Sequence, residues 1–125
     1  MDKILRIIVG DTQDPIFKEE PLADYAGLGG RALTSALINQ EVPADCHPLG
    51  PENKLVIAPG LLTGTAASTS GRLSVGCKSP LTGGIKEANS GGQGGQVLAK
   101  LGYAAIVLEG SNPGGDLYLL RINKD

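Results

Sequence analysis

Leu5-Arg6-Ile7-Ile8-Val9-Gly10 and Gly71-Arg72-Leu73-Ser74-Val75-Gly76 resemble each other across an offset of 66 residues. A second pair, Gly29-Gly30-Arg31-Ala32-Leu33 and Gly94-Gly95-Gln96-Val97-Leu98, follows at an offset of 65. Each copy reads as an aliphatic strand, a Pro-containing loop and a helix opened by two glycines. Two matches at nearly one offset point to an internal duplication and a pseudo-two-fold domain. Chance similarity between glycine-rich stretches is the competing explanation.

Working outward from these anchors, Ile4 to Val9 forms a strand ended by a turn at Gly10-Asp11. Pro15 to Pro21 is extended. Gly29 to Gln40 is a helix whose apolar stripe is Ala32, Leu33, Ala36 and Leu37, and Pro43 marks its end. Leu55 to Ala58 and Arg72 to Cys77 are strands, the latter with Leu73, Val75 and Cys77 on one face. Gln96 to Leu101 makes a short helix and Ala104 to Leu108 a buried-type strand. Leu117 to Ile122 is expected as a last strand, after a turn at Asn112 to Gly115. Ser79 to Gly95 has little apolar content and reads as one long loop. The expected class is α+β: β-rich, with a few short helices, in one domain over residues 1–125.

Composition narrows the function. Phe17, Tyr25, Tyr103 and Tyr118 are the aromatic residues, so the core must be aliphatic. Glycine, at 19 residues, is about twice its usual share of roughly 7% and clusters in particular loops. A net charge of −2 argues against a nucleic-acid surface. No apolar run approaches the roughly 20 residues that span a bilayer, and the start lacks a signal-peptide pattern, so a cytoplasmic location is expected. Cys46 and Cys77 lie far apart in sequence, outside any Cys-x-x-Cys pair, and read as small, partly buried residues rather than metal ligands or a disulfide.

Two loops could carry chemistry. One runs from Pro59-Gly60-Leu61-Leu62-Thr63-Gly64-Thr65 to Gly71-Arg72; the other runs from Lys78-Ser79-Pro80-Leu81-Thr82-Gly83-Gly84 to Asn89-Ser90-Gly91-Gly92. Each combines glycines with hydroxyl or amide side chains beside a cation, Arg72 or Lys78, as an anion cradle would. The second leads into a helix N-terminus, where a phosphate would be favoured. Neither matches a dinucleotide or P-loop spacing. From the residues alone, turns and tight packing explain the glycines equally well.

These loops follow one another in an order that resembles one family. Pro48-Leu49-Gly50-Pro51-Glu52-Asn53-Lys54-Leu55, Gly60-Leu61-Leu62-Thr63-Gly64-Thr65, Gly71-Arg72, Lys78-Ser79-Pro80-Leu81-Thr82-Gly83-Gly84, Asn89-Ser90-Gly91-Gly92 and Gly102-Tyr103-Ala104-Ala105-Ile106-Val107-Leu108-Glu109-Gly110 together resemble the N-terminal domain of the aldehyde:ferredoxin oxidoreductases. Gly29-Gly30-Arg31 also fits. The resemblance implies a domain of two β-sheets related by a pseudo-two-fold axis, on which a tungsten or molybdenum bis-pyranopterin sits. It implies a full enzyme that oxidises aldehydes to carboxylic acids and passes the electrons to ferredoxin.

Carried over by position, Arg72 matches the arginine between pterin and iron–sulfur cluster, where a guanidinium suits an anionic cofactor. Asn89 and Gly91 match positions contacting the pterin and its phosphate, with Ser90 adjacent. The Asn89 backbone carbonyl corresponds to a ligand of the Mg²⁺ bridging the two pterin phosphates. Lys78 is left open between a phosphate and a carboxylate partner. His47 is a surface-loop residue with no catalytic part. The four cysteines of the [4Fe–4S] cluster and the proposed acid–base residues have no counterpart here, so no catalytic residue is assigned. The stretch Gly10-Asp11-Thr12-Gln13-Asp14-Pro15 departs from the family's usual Thr-Gly hairpin.

Three roles follow: part of an oxidoreductase, completed by its remaining domains or by a separate cluster-bearing subunit; a non-catalytic module that carries or stores a pterin cofactor; or an assembly protein that kept only the fold. The intact Arg72 and Asn89 to Gly92 run disfavours the third. The missing cluster ligands disfavour independent catalysis. A cofactor face left bare, near Gly60 to Ala67 and Asn89 to Gly95, would promote association into a homo-oligomer.

Overall fold

The aliphatic run Lys3–Val9 forms the first strand, β1, and is covered on both faces: Ile4, Leu5 and Ile7 are buried and only Lys3 is exposed. The computed structural model describes residues 1–10 and 14–124. The elements that follow are β2 (Ile16–Pro21), a 3-10 turn (Ala23–Tyr25), α1 (Gly30–Glu41), β3 (Lys54–Pro59), β4 (Leu73–Lys78), β5 (Ile85–Ser90), α2 (Gly94–Lys100) and β6 (Tyr103–Gly110). The turn expected at Gly10-Asp11 lies partly outside the described residues. The strands it would join still pair antiparallel, from Lys3 opposite Pro21 to Ile8 opposite Ile16.

The mixed α and β class stands, with the strands in one six-stranded sheet of order β2-β1-β6-β3-β4-β5. The resemblance implied two sheets. Here the halves β2-β1-β6 and β3-β4-β5 are continuous, because β3 pairs antiparallel with β6 from Lys54 opposite Glu109 to Ile57 opposite Ile106. The expected duplication is visible in the element order, hairpin–helix–strand twice: β1-β2-α1-β3, then β4-β5-α2-β6. Exchanging the copies leaves the strand order unchanged. Strand direction breaks the symmetry, since β1 runs parallel to β6 whereas β4 runs antiparallel to β3.

The helices cover opposite faces. Leu33, Leu37 and Ile38 of α1 pack with Ile4, Val56, Ala58, Ala105 and Val107, and Leu98 of α2 packs with Leu5, Ile7 and Ile106. The buried stripe of α1 is Gly30, Leu33, Thr34, Leu37 and Ile38, one position on from the expected one, and Ala32 is exposed. A polar residue thus takes a core position. The Thr34 hydroxyl is satisfied by donating to the Arg31 carbonyl at 3.1 Å, and Gly76 makes room for it, since a Cβ there would lie 2.8 Å from Thr34 Cβ. Likewise β4 buries Ser74, Gly76 and Lys78 under α1, while Leu73, Val75 and Cys77 are half-buried on the other face.

Two expectations are corrected. Residues 117–122 form no strand; the segment lies without regular structure, with Leu117 and Leu119 almost fully exposed. Residues 79–95 are not one loop: β5 occupies Ile85–Ser90, paired with β4 from Leu73 opposite Ser90 to Lys78 opposite Ile85. The signal was hidden because β5 is an edge strand with little buried side chain, so it lacks the apolar alternation of a core strand. Its partner and the turn at Ser79 to Gly84 impose it; the turn is closed by the Ser79 N–H donating to the Gly84 carbonyl at 2.7 Å.

Candidate functional site

The sheet register places Ser74 opposite Asn89, so Arg72, just before β4, and Gly91, just after β5, meet at the same end of the hairpin. Asn89 is on a strand rather than in a loop, and the others gather around it. Arg72 Nε donates to Asn89 Oδ1 at 2.6 Å. Among the described residues, the two terminal nitrogens of the guanidinium have no hydrogen-bond partner. Gly91 keeps the space beside them clear: a Cβ there would lie 3.5 Å from one of them. Arg72, Asn89, Ser90 and Gly91 are all exposed. The Ser90 hydroxyl donates to the Gly91 carbonyl at 3.2 Å.

The loop between β3 and β4 forms the adjoining wall. It is closed by the Gly60 N–H donating to the Arg72 carbonyl at 3.0 Å, and by the buried Thr63 hydroxyl donating to the Ser70 carbonyl at 2.5 Å and the Arg72 carbonyl at 3.2 Å. The first turn of α2 buttresses it through a close approach only glycine allows, because a Cβ on Gly95 would sit 2.9 Å from the Arg72 carbonyl oxygen. The first turn of α1 abuts the same loop: Gly29 is so close that a Cβ would lie 2.5 Å from the Leu61 nitrogen. Leu61, Leu62 and Val97 leave an exposed apolar rim around this region.

Behind Asn89 stands a polar cluster not foreseen in the sequence. Asn89 Nδ2 donates to Ser74 Oγ at 2.9 Å and Glu87 Oε1 at 3.2 Å, Ser74 Oγ donates to Glu87 Oε1 at 2.9 Å, and Arg31 Nε lies 3.1 Å from Glu87 Oε2. Hydrogen bonds from Asn89 and Ser74, then the Arg31 charge, hold the Glu87 carboxyl below the usual range. Reading 85–90 as a strand would have found Glu87, because i and i+2 share a face.

Lys78 falls outside this site, with neither partner left open for it. Its side chain is buried and donates to the backbone carbonyls of Ala44 at 2.5 Å and Cys46 at 2.6 Å. Its own main chain is bridged by the Asn53 side chain, which tethers the loop after α1 to β4. His47 is exposed and accepts the Leu49 N–H in a turn. Cys46 and Cys77 are free thiols. Among the described residues no group of three or more His, Cys, Asp or Glu is placed to hold a metal ion. Among the described residues no helix is long and apolar enough to cross a membrane.

Away from the site, on the α1 side, Arg6 forms a two-pronged contact with Glu41 at 2.7 Å for each bond and reaches Glu20 at 2.6 Å. Lys54 bridges Glu41 at 2.8 Å and Glu109 at 2.7 Å. Burial alone would raise the Glu41 carboxyl, but hydrogen bonds and charge from Arg6 and Lys54 overcome it and hold it at about 2. This cluster also offsets the poor placement of an acid in a last helical turn.

Fold and site together define a three-layer α/β domain with a glycine-lined cradle, presenting one anchored, half-free guanidinium at the end of a hairpin. The family whose model is described as aldehyde ferredoxin oxidoreductase, N-terminal domain, matches residues 4–125, and the chain belongs to that family. It is 47% identical over 106 residues to the tungsten-containing aldehyde ferredoxin oxidoreductase of Pyrococcus furiosus, an alignment spanning 85% of this chain and 17% of that protein. It is 53% identical over 85 residues to the enzyme of the same name from Thermococcus kodakarensis, spanning 68% of this chain and 14% of the other. The chain thus spans only about a sixth of the length of these relatives. A solved structure, the active site complex BamBC of benzoyl coenzyme A reductase with 1,5-dienoyl-CoA, superposes with a TM-score of 0.81 at 27% identity, covering 90% of this chain and 17% of that one.

Proposed function

We propose that this chain is the cofactor-cradling base of a tungsten (or molybdenum) bis-pyranopterin oxidoreductase that converts aldehydes to carboxylic acids and passes the electrons to ferredoxin. The observation that carries the reading is the state of Arg72. Its Nε is spent on Asn89 while its terminal nitrogens, among the described residues, bond to nothing in the chain. A guanidinium held at one end and open at the other suits an anionic ligand. Gly91 supports the reading too: a Cβ there would already touch a terminal guanidinium nitrogen at 3.5 Å, so a longer side chain would crowd it.

In this reading Arg72, Asn89, Ser90 and Gly91 hold the pterin and its phosphate, and the Asn89 carbonyl oxygen supplies a ligand to the bridging Mg²⁺, a hard ion that takes oxygen donors. The bound group supplies the two-electron redox chemistry. This chain's own part is to bind and orient it. The ligands of the [4Fe–4S] cluster lie outside residues 1–125, in further domains or a separate subunit, so the chain alone is inactive. The apolar rim at Leu61, Leu62 and Val97 is the surface those domains cover, or along which isolated copies associate.

The structural likeness to benzoyl coenzyme A reductase supports a reading in which choice of substrate lies in parts of the protein beyond this base. The test is an anaerobic titration of the chain with bis-pyranopterin cofactor and Mg²⁺. Loss of one charge-assisted contact in Arg72→Ala is expected to cost about 1.5–3 kcal/mol, roughly a 10- to 150-fold weaker Kd. Equal affinity of the two proteins would refute the assignment.

A further inference from the structure

Behind the Arg72–Asn89 pair stands one carboxylate, which with Ser74 receives the Asn89 NH₂ and so favours the sense that the donor-only Arg72 Nε–H also requires. Glu87 lies two residues before Asn89 on β5, on the α1 side of the sheet, and its side chain is only 14% exposed. Oε1 receives Ser74 Oγ at 2.9 Å and Asn89 Nδ2 at 3.2 Å; Oε2 receives Arg31 Nε at 3.1 Å. An ionised carboxylate only accepts, so Asn89 must turn its NH₂ toward Glu87. The amide oxygen then faces the other way, 2.6 Å from Arg72 Nε. With the amide reversed, an NH₂ would oppose an N–H and its carbonyl would oppose a carboxylate.

We infer that Glu87 is a positioning residue: through Asn89 it fixes the Arg72 guanidinium by its Nε, so that the terminal nitrogens are presented to an anionic ligand. Arg31, from the first turn of α1, holds Glu87 in turn. The sequence hid this because Arg31, Ser74, Glu87 and Asn89 come from three elements and meet only once β5 is paired. The inference rests on the proposed function for what the guanidinium is presented to; the sense of the hydrogen-bond chain does not depend on the ligand.

The acceptor-only character of Glu87 gives a specific test. In Glu87→Gln the new NH₂ can donate to the Asn89 oxygen, so Asn89 is no longer held in one sense from behind and Arg72 Nε must compete for its acceptor. Adding Asn89→Asp restores an acceptor-only group facing both the glutamine NH₂ and Arg72 Nε, with the total charge of the pair unchanged. The readout is solvent exchange of the Arg72 Nε–H in ¹⁵N NMR spectra of the whole chain, its signal assigned by its disappearance in Arg72→Lys. Glu87→Gln is expected to speed exchange about tenfold, the scale of one lost charge-assisted hydrogen bond, with backbone amide dispersion unchanged. The double variant is expected to return most of the protection. An unchanged rate in Glu87→Gln, or a double variant no better protected than the single, overturns the inference. Failure of the cofactor to bind the unaltered chain would refute the proposed function and leave this measurement standing, so the two fail separately.

Discussion

Adding a single methyl group at Gly95 should damage both the fold and the cradle. The new Cβ would lie 2.9 Å from the Arg72 carbonyl oxygen, 3.3 Å from its carbonyl carbon and 3.4 Å from Thr63 Cγ2. The two nearest atoms are backbone, in a segment already tied by Gly60 and Thr63, so no side chain can swing aside. Overpacking of this kind costs about 1–3 kcal/mol, and the better helix propensity of alanine returns up to about 1 kcal/mol. The net loss for Gly95→Ala is then about 0–3 kcal/mol. At this chain length that lowers Tm by up to roughly 12 °C. Gly94→Ala is the control: a Cβ there meets nothing within 4 Å, so it should be neutral or stabilising by up to about 0.5–1 kcal/mol. The assay is thermal unfolding followed by circular dichroism on both variants, with cofactor affinity measured in parallel. Gly95→Ala should also weaken the cofactor, since the displaced atoms are the backbone of Arg72. A Gly95→Ala protein as stable as Gly94→Ala would refute the packing argument.

Lys78→Met should destabilise without touching the site. It strips the donors from the Ala44 and Cys46 carbonyls, at about 1–3 kcal/mol for buried acceptors left unpaired; urea unfolding should register the loss while cofactor affinity stays unchanged. The charge cluster predicts a pH dependence. Glu41 has a folded-state pKa lowered from 4.5 to about 2, so its stabilising contribution is full above about 4.5 and is lost as pH falls toward 2. Urea midpoints across that window should fall with pH, and Glu41→Gln should make the fall shallower. A slope unchanged in that variant would place the acid sensitivity elsewhere.

Much of the fold is legible in the residues because burial and periodicity coincide there. Ile4 to Val9, Leu55 to Ala58 and Ala104 to Leu108 are aliphatic runs that can only be interior strands, and Gly29-Gly30 with Pro43 brackets α1. Legibility is lost where a polar or small residue fills a core position. Thr34 is buried because Gly76 lies opposite it, and Ser74 and Lys78 because α1 covers them; no local pattern reveals such pairings. It is lost again at the edges. Leu117 to Ile122 has strand-like composition without a strand partner, and β5 has a partner without strand-like composition. In the cradle, Arg72, Asn89 and Gly91 were recognisable as an ordered motif. Their shared hairpin end came only from the register, and Glu87 only from the distances. The partner of Lys78, left open between a phosphate and a carboxylate, is neither but two backbone carbonyls, and for the same reason: its neighbours are remote in sequence.

The proposed function puts the pterin cofactor at the hairpin end bearing Arg72 and Asn89. Hydrogen–deuterium exchange of the whole chain, with and without bis-pyranopterin cofactor and Mg²⁺ under anaerobic conditions, tests it most directly. Added protection confined to residues 60–72 and 89–95 is the predicted result. Bound cofactor with protection elsewhere, or no protection at saturating cofactor, would contradict it.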